Sequence, residues 1–389
     1  MIQWFTLVLV FGILVLFFKN QALYVLFYLS IILPVIGRWL LHFTFNNVKC
    51  KVYISPKNIF FRESSKFIID ISNNTPIPIY WLEVIVYLPR KLVFQDKIGA
   101  VYKIPPRGCI SFNYEIKGIK RGCYELGPVI IQASDIISGE ELRYEVKPEE
   151  RLIVYPKTLP ITAGRLHSYQ PIGELRSEEV AFEDPSRFRG TREYLNTDPF
   201  KKIHWKVSAH TGKLQVKVYE PTVGAQSVIF LNLRYQDYPS FDRDYRMELA
   251  VTLASSLSAF LIEKRQAVGL VTNGGDMLIS GENIPIQKIY PKQGEDQLIR
   301  ILEVLARCTL RKTDPFINLV YSESQLFPRW VNLFIVTHRE TREIIEFLIG
   351  IRHRGANISL FTLTGYKGNR KEEGIYIYEI TNEDEIKTL

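Results

Sequence analysis

Two consecutive apolar runs at the start of the chain constrain its fold more than any other feature. Ile2 to Phe18 is apolar except for Gln3 and Thr6. Lys19-Asn20-Gln21 interrupts the pattern, which resumes from Ala22 to Gly37 and continues past Arg38 to Phe43. A helix needs about 20 apolar residues to cross a bilayer. Both runs approach that length, with Lys19 and Arg38 able to snorkel and Trp4 and Trp39 suited to the interface. Backbone in hydrocarbon must satisfy its own hydrogen bonds, so the expectation is a transmembrane helical hairpin over residues 1–45. A cleaved signal peptide fits poorly, because no Lys or Arg precedes the first run and a second run follows at once. The short connection carries only Lys19, whereas Arg38, Lys49 and Lys51 follow the second run. The positive-inside rule therefore places the rest of the chain in the cytoplasm, at the cell membrane.

The remaining length, out of 389 residues, is enough for two further domains. Hydrophobic residues make up 47% and charged residues 23%, which excludes a disordered or collagen-like chain. The net charge of +8 favours an acidic partner without choosing among lipid headgroups, nucleic acid and protein. Cys50, Cys109, Cys123 and Cys308 form no CxxC pair and no zinc-spaced cluster, so reduced thiols are expected.

Residues 46–157 read as an all-β, sandwich-like module. Phe67 to Ser72 stops at Asn73-Asn74-Thr75-Pro76, and Ile79 to Leu88 is rich in β-branched and aromatic residues. Ile110 to Ile116 alternates with period two, and Gly118 and Gly122 punctuate the turns. Residues 225–389 instead alternate strand and helix. Buried strands are expected at Ser227–Leu233, 267–271, 331–337 and 358–363, with helices at 244–266, 296–309 and 340–353. This order predicts an α/β doubly wound sheet with any ligand at the carboxyl ends of its strands.

Between these modules, residues 158–224 contain the most distinctive stretch, Ser186 to Glu220. Asp198 is a good N-cap, Pro199 a good first helical residue and Gly212 a helix stop. The expectation is that Arg192, Glu193 and Tyr194 lie on an extended segment before a short helix carrying Lys201, Lys202, His204, Trp205 and Ser208. A strand follows from Leu214. Two readings compete here. In the first, Arg192, Lys201, Lys202, Lys206 and Lys213 with Tyr194, Phe200 and Trp205 make a basic aromatic docking patch for an acidic partner. Alternatively, Arg192, Glu193, Asp198 and Trp205 lock one domain to the next by buried pairs and packing, and this architectural reading is given slightly more weight.

Arg192, Glu193, Tyr194, Asp198, Ile203, Trp205, Ser208, Ala209, Leu214, Val216 and Glu220 match a pattern that resembles the signature of the domain of unknown function 58 family. Thr197 stands where that pattern has Gly, and His210 where it has Arg. Lys120 to Pro128 resembles a second family stretch. The resemblance implies a bacterial, membrane-anchored protein with a von Willebrand factor A-like domain, associated with MoxR-type AAA+ ATPases. Such domains often hold Mg²⁺ through Asp-x-Ser-x-Ser after the first strand and a later Asp. The aligned positions here are Asn232, Arg234 and Gln236, with His338 in place of the later Asp. A neutral amide, a cation and an imidazole predict a degenerate site with no metal. A retained site built from Asp237, Asp242 or Thr337 is the lesser alternative.

No P-loop, His-Glu-x-x-His or Gly-x-Ser-x-Gly motif is present. Cys308 reads as a buried helix residue. The expected function is a non-enzymatic scaffold or adaptor without a cofactor, held in the lipid bilayer and bound to an AAA+ ATPase or another protein. Nucleic-acid binding is not expected. The alternative is a hydrolase or transferase with an unrecognised site near Arg192, Asp198 and His204.

Overall fold

The computed structural model describes residues 2–18, 20–89, 92–94, 100–134, 141–162, 166, 182–195, 198, 200–222, 226–279, 285–327, 331–364 and 368–389. Its contacts divide the chain into two compact units, Met1–Lys157 with Leu305–Arg307, and Thr158–Val304 with Cys308–Leu389.

The first unit starts with two helices, α1 (Ile2–Phe18) and α2 (Gln21–Phe45). Asn20 caps α2, its side-chain oxygen accepting from the Ala22 N–H at 3.0 Å. With 25 residues, α2 is long and apolar enough to cross a membrane. The 17-residue α1 is apolar but shorter.

Eleven strands follow: β1 (Val48–Ser55), β2 (Asn58–Ile59), β3 (Ser64–Asn73), β4 (Ile79–Val86), β5 (Leu92–Phe94), β6 (Ala100–Ile104), β7 (Cys109–Gly118), β8 (Gly122–Glu125), β9 (Val129–Ser134), β10 (Glu141–Val146) and β11 (Arg151–Val154). They form sheets in the orders β1-β3-β7-β5, β10-β9-β4-β6 and β2-β11-β8. Both four-stranded sheets are antiparallel. Side chains on β3 alternate in burial, so Phe67, Ile69 and Ile71 point inward while their neighbours do not. They share one buried cluster with Leu82 and Val84 of β4 and Ile131 of β9. Burying one face of each sheet in a common core is what orders this module.

In the second unit, β12 (Phe182–Glu193) precedes α3 (Trp205–Thr211) and β13 (Gln215–Thr222). The two strands pair antiparallel. The rest runs β14 (Gln226–Leu231), α4 (Arg243–Glu263), β15 (Ala267–Thr272), β16 (Gly275–Asp276), β17 (Gln287–Lys292), α5 (Glu295–Arg307), β18 (Cys308–Thr309), α6 (Phe316–Ser324), β19 (Asn332–Thr337), α7 (Arg342–Arg352), β20 (Asn357–Thr362), β21 (Arg370–Glu372), β22 (Ile375–Glu379) and α8 (Glu383–Lys387). A seven-stranded sheet has the order β17-β15-β14-β19-β20-β22-β21. Its five central strands are parallel and its edge strands, β17 and β21, antiparallel. The central strands β14, β19 and β20 are buried almost throughout, as parallel strands covered by helices must be. The apolar α4 is packed inside this unit, so its hydropathy reflects a core helix.

Two sequence expectations change here. Cys308 lies in the short strand β18, one residue beyond α5. The helix expected from Asp198 and Pro199 begins later, at Trp205, after a short 3-10 helix at Phe200–Lys202.

Candidate functional site

The signature stretch folds into a hairpin tip whose residues divide into builders and presented side chains. Arg192 donates to both Asp198 carboxylate oxygens, each at 2.6 Å. Asp198 also accepts from the Leu195 N–H at 2.9 Å. Two hydrogen bonds from one planar guanidinium fix orientation as well as distance. The acceptor oxygens of Asp198 thus close the turn onto Arg192 and Leu195. Hydrogen bonding from Arg192, then from the Leu195 backbone, holds the Asp198 carboxyl below its ordinary pKa. Thr197 and Pro199 lie outside the described residues.

His204 takes the capping position, its Nδ1 accepting from the Val207 N–H at 3.4 Å. Gly212 ends α3 with φ of 70°, in the left-handed region that favours glycine. Ser208 ties the helix to β13. Its hydroxyl accepts from the Gln215 N–H at 2.8 Å and donates to the His204 carbonyl at 3.0 Å. The Gln215 carbonyl in turn accepts from the His204 N–H at 2.8 Å. Ile203 and Val216, 3% and 1% exposed, fill the small interior beneath.

The aromatic residues face outward. Trp205 is 66% exposed and Phe200 72% exposed, with Leu195 and Leu214 also exposed. The Tyr194 and Phe200 rings lie 5.8 Å apart. Lys206 is exposed, Lys202 half-buried, and Lys213 pairs with Glu193 at 2.8 Å. Trp205 therefore does not lock domains by burial, contrary to the more heavily weighted sequence reading. Glu193 and Asp198 each have a basic partner and do not form a carboxylate pair.

A second cluster occupies the sheet's topological switch point. β14 has β15 on one side and β19 on the other, so chain connections diverge between β14 and β19. A crevice forms at the carboxyl ends of such strands. Asn232, immediately after β14, donates from Nδ2 to Asp237 Oδ2 at 2.8 Å and to Thr337 Oγ1 at 3.0 Å. Its Oδ1 accepts from the Arg234 N–H at 3.0 Å and from Asn273 Nδ2 at 3.2 Å. The Arg234 guanidinium pairs with Asp237 Oδ1 at 2.9 Å and donates to the Thr313 carbonyl at 2.9 Å. Gln236 lies in a short 3-10 helix at Tyr235–Asp237.

His338, after β19, is 8% exposed, and its ring centroid lies 5.4 Å from that of Tyr238. Burial first, then the Arg246 charge, lowers its pKa below the ordinary imidazole value. Its Nδ1 and the Asp242 Oδ1 are buried without a hydrogen-bond partner. Tyr238 donates its hydroxyl to the Asn232 carbonyl at 2.6 Å, and burial raises its pKa. Asp242 pairs with Arg246 at 2.7 Å through its other oxygen. Among the described residues, no three His, Cys, Asp or Glu side chains are gathered to hold a metal ion. The sequence pattern had located Asn232, Arg234, Gln236 and His338, but not the contributions of Asn273 and Tyr238. Asn273 follows the neighbouring strand β15, and that position is its sequence signal.

Comparisons with known proteins reach the same signature. The family described as "Protein of unknown function DUF58" matches residues 190–319. "Uncharacterized protein YeaD" of Bacillus subtilis (strain 168) is 21% identical over 283 residues, covering 72% of this chain and 67% of its own length. Solved structures align with smaller parts. A FixG-related protein from Vibrio parahaemolyticus covers 28% of this chain and 96% of its own, at 10% identity and a TM-score of 0.20. Trypsin-activated alpha-2-macroglobulin from Escherichia coli covers 32% of this chain and 10% of its own, at 16% identity and a TM-score of 0.22. At those scores neither structure carries an argument. Residues 190–319 are thus similar to the DUF58 family, and the distant YeaD relative, itself uncharacterised, is similar over a longer part of the chain.

Proposed function

We propose that this chain is a membrane-anchored, non-catalytic scaffold that docks a protein partner through the tip formed by β12, α3 and β13. The observation that carries this reading is Trp205, exposed on a tip held by Arg192, Asp198 and Ser208. A large aromatic side chain that is mostly exposed contributes little to folding, whereas exposed Trp and Tyr are frequent binding anchors. The family resemblance points to an AAA+ ATPase of MoxR type as that partner. The apolar α1 and α2 would be the anchor, with the remaining domains on the cytoplasmic side by flanking charge.

In this reading the α/β domain is von Willebrand factor A-like, with a switch point adapted to work without metal. The Asn232 amide and the Arg234 guanidinium both donate to Asp237, so a cation of the chain's own stands beside that carboxylate. This donor set does not fit a hard divalent ion, which wants converging oxygen acceptors. The absence of catalysis is supported by how the alternative's residues are used. Arg192 and Asp198 bind each other, and His204 caps α3.

The test is affinity isolation of the tagged full-length protein after crosslinking in native membranes. An AAA+ ATPase should be recovered from wild type and from His204→Asn, which keeps a capping side chain, and lost from Trp205→Ala. Recovery of background alone from a folded, anchored protein would overturn the scaffold.

A further inference from the structure

Where α2 meets the β module, the structure forms an apolar groove of about 310 Å³, at the small end of ligand-site volumes. One wall is α2 itself, with Gly37, Leu41 and Thr44 at helical spacing on a single face. The other wall includes Ile79, Tyr80 and Trp81 of β4. Its mouth differs from its floor. Tyr80 and Trp81 are largely exposed, and the Lys103 ammonium sits 4.8 Å from the centre of the Tyr80 ring. The groove thus has an apolar interior and an aromatic rim, with Lys103 beside the ring of Tyr80.

Its depth along α2 identifies the occupant. A helix of 25 residues is about 37 Å long, whereas the hydrocarbon core is about 30 Å thick. In the anchoring reading the excess falls at the carboxyl end of α2, where Arg38 and His42 lie and suit the headgroup layer. Trp39, exposed and stacked on Phe43 with ring centroids 5.6 Å apart, supplies the aromatic pair expected at that level. The groove spans the same turns. An amphipathic molecule with an apolar tail and an anionic head matches both its floor and its rim, and the surrounding bilayer supplies it.

We propose that this groove seats one anionic glycerophospholipid, its acyl chain against Gly37 and Leu41 and its phosphate near Lys103. The inference rests on the membrane-anchoring reading above and adds a specific lipid site to it. Lipid bound there would fix the angle between α2 and the β module.

The experiment uses the full chain in phosphatidylcholine vesicles containing a phosphatidylglycerol with a photoactivatable acyl chain. Irradiation is followed by peptide mapping. Label should concentrate on residues 37–44 and 77–81 and exceed that from the matching phosphatidylcholine probe. Lys103→Gln, at an exposed position, should lower labelling about fivefold, the effect of one lysine at a lipid surface. Gly37→Leu, which fills the groove, should bring it to background. Uniform label along α2, or label unchanged in both variants, would overturn the lipid site while leaving the anchor intact. Equal labelling by the two probes would overturn the anionic preference. A crosslinked dimer through residues 37–44 would assign the groove to a second copy of the chain. Failure of the protein to float with the vesicles would remove the anchor and the site together.

Discussion

Arg192 and Asp198, six positions apart, meet through two hydrogen bonds of 2.6 Å. That clasp turns the chain between β12 and α3 and leaves Trp205, Phe200 and Leu195 facing solvent. The signature's ionic residues thus act as the frame, and its aromatic residues as the contents displayed on it.

The frame makes the tip acid-sensitive. Asp198 has a folded-state pKa below its ordinary 3.8 because Arg192, then the Leu195 N–H, bind its charged form. Its contribution is present above the unfolded pKa and is lost as pH falls through the lower, folded one. Trp205 fluorescence should report a change below about pH 4 in wild type. In Asp198→Asn that acid step should be absent.

Ser208→Ala should loosen the tip more than any exposed change does. It strands the half-buried Gln215 N–H, which costs about 1 kcal/mol, the low end of the range for an unpaired donor. Hydrogen exchange should quicken at Gln215 and Val216. Trp205→Ala, by contrast, should alter global stability by no more than about 0.5 kcal/mol, because the side chain packs little.

His338 predicts a second pH dependence. Burial, with the charges of Arg246 and Arg339 opposed by Asp242 and Asp237, lowers its pKa from 6.5. The unfolded chain then takes up this proton before the folded one does. Stability should therefore fall as pH drops below about 6.5 and level off once the folded-state pKa is passed. Denaturant titrations of wild type and His338→Asn at a series of pH values isolate this slope, which the variant should lack.

Thiol reactivity should rank by environment. Burial first, then the Asp70 charge, pushes the Cys50 thiol up to about 12. Cys109 is exposed. Iodoacetamide at pH 8 should modify Cys109 in the native protein and reach Cys50 and the buried Cys308 only on unfolding.

Much of the architecture was legible because its signals are local. Period-two alternation marked β7, the stop at Asn73 to Pro76 marked the end of β3, and uninterrupted apolar runs marked β14 and β19. Gly212 marked the end of α3. The misreadings came from partners brought together by the fold. Asp198 carries a good capping sequence, but it pairs with Arg192 and the helix begins at Trp205. Trp205 looked like a packing residue because nothing local distinguishes a buried Trp from a presented one. α6, at Phe316–Ser324, is a short helix without a side-chain cap, and the pairing of β21 with β22 rests on a hairpin whose turn gave no strong signal. At the switch point, the sequence located Asn232, Arg234 and His338. Only the fold shows that Asp237 receives both the amide and the guanidinium.

The switch point can be tested without any partner. Isothermal titration of the full-length protein with Mg²⁺ should give no binding heat in the micromolar range. Arg234→Ala should lower stability by leaving Asp237 with the Asn232 amide alone. Micromolar Mg²⁺ binding abolished by Asn232→Ala would overturn the metal-independent reading.

The most direct measurement of the central claim is quantitative mass spectrometry of crosslinked native membranes from wild type, Trp205→Ala and His204→Asn, the last keeping a capping side chain at the start of α3. The account predicts an AAA+ ATPase captured equally by wild type and His204→Asn and depleted about tenfold or more by Trp205→Ala, as expected on removing a binding anchor. Equal capture by all three proteins would contradict docking through the tip. Loss of cellular function in His204→Asn, with capture and folding intact, would contradict a non-catalytic role.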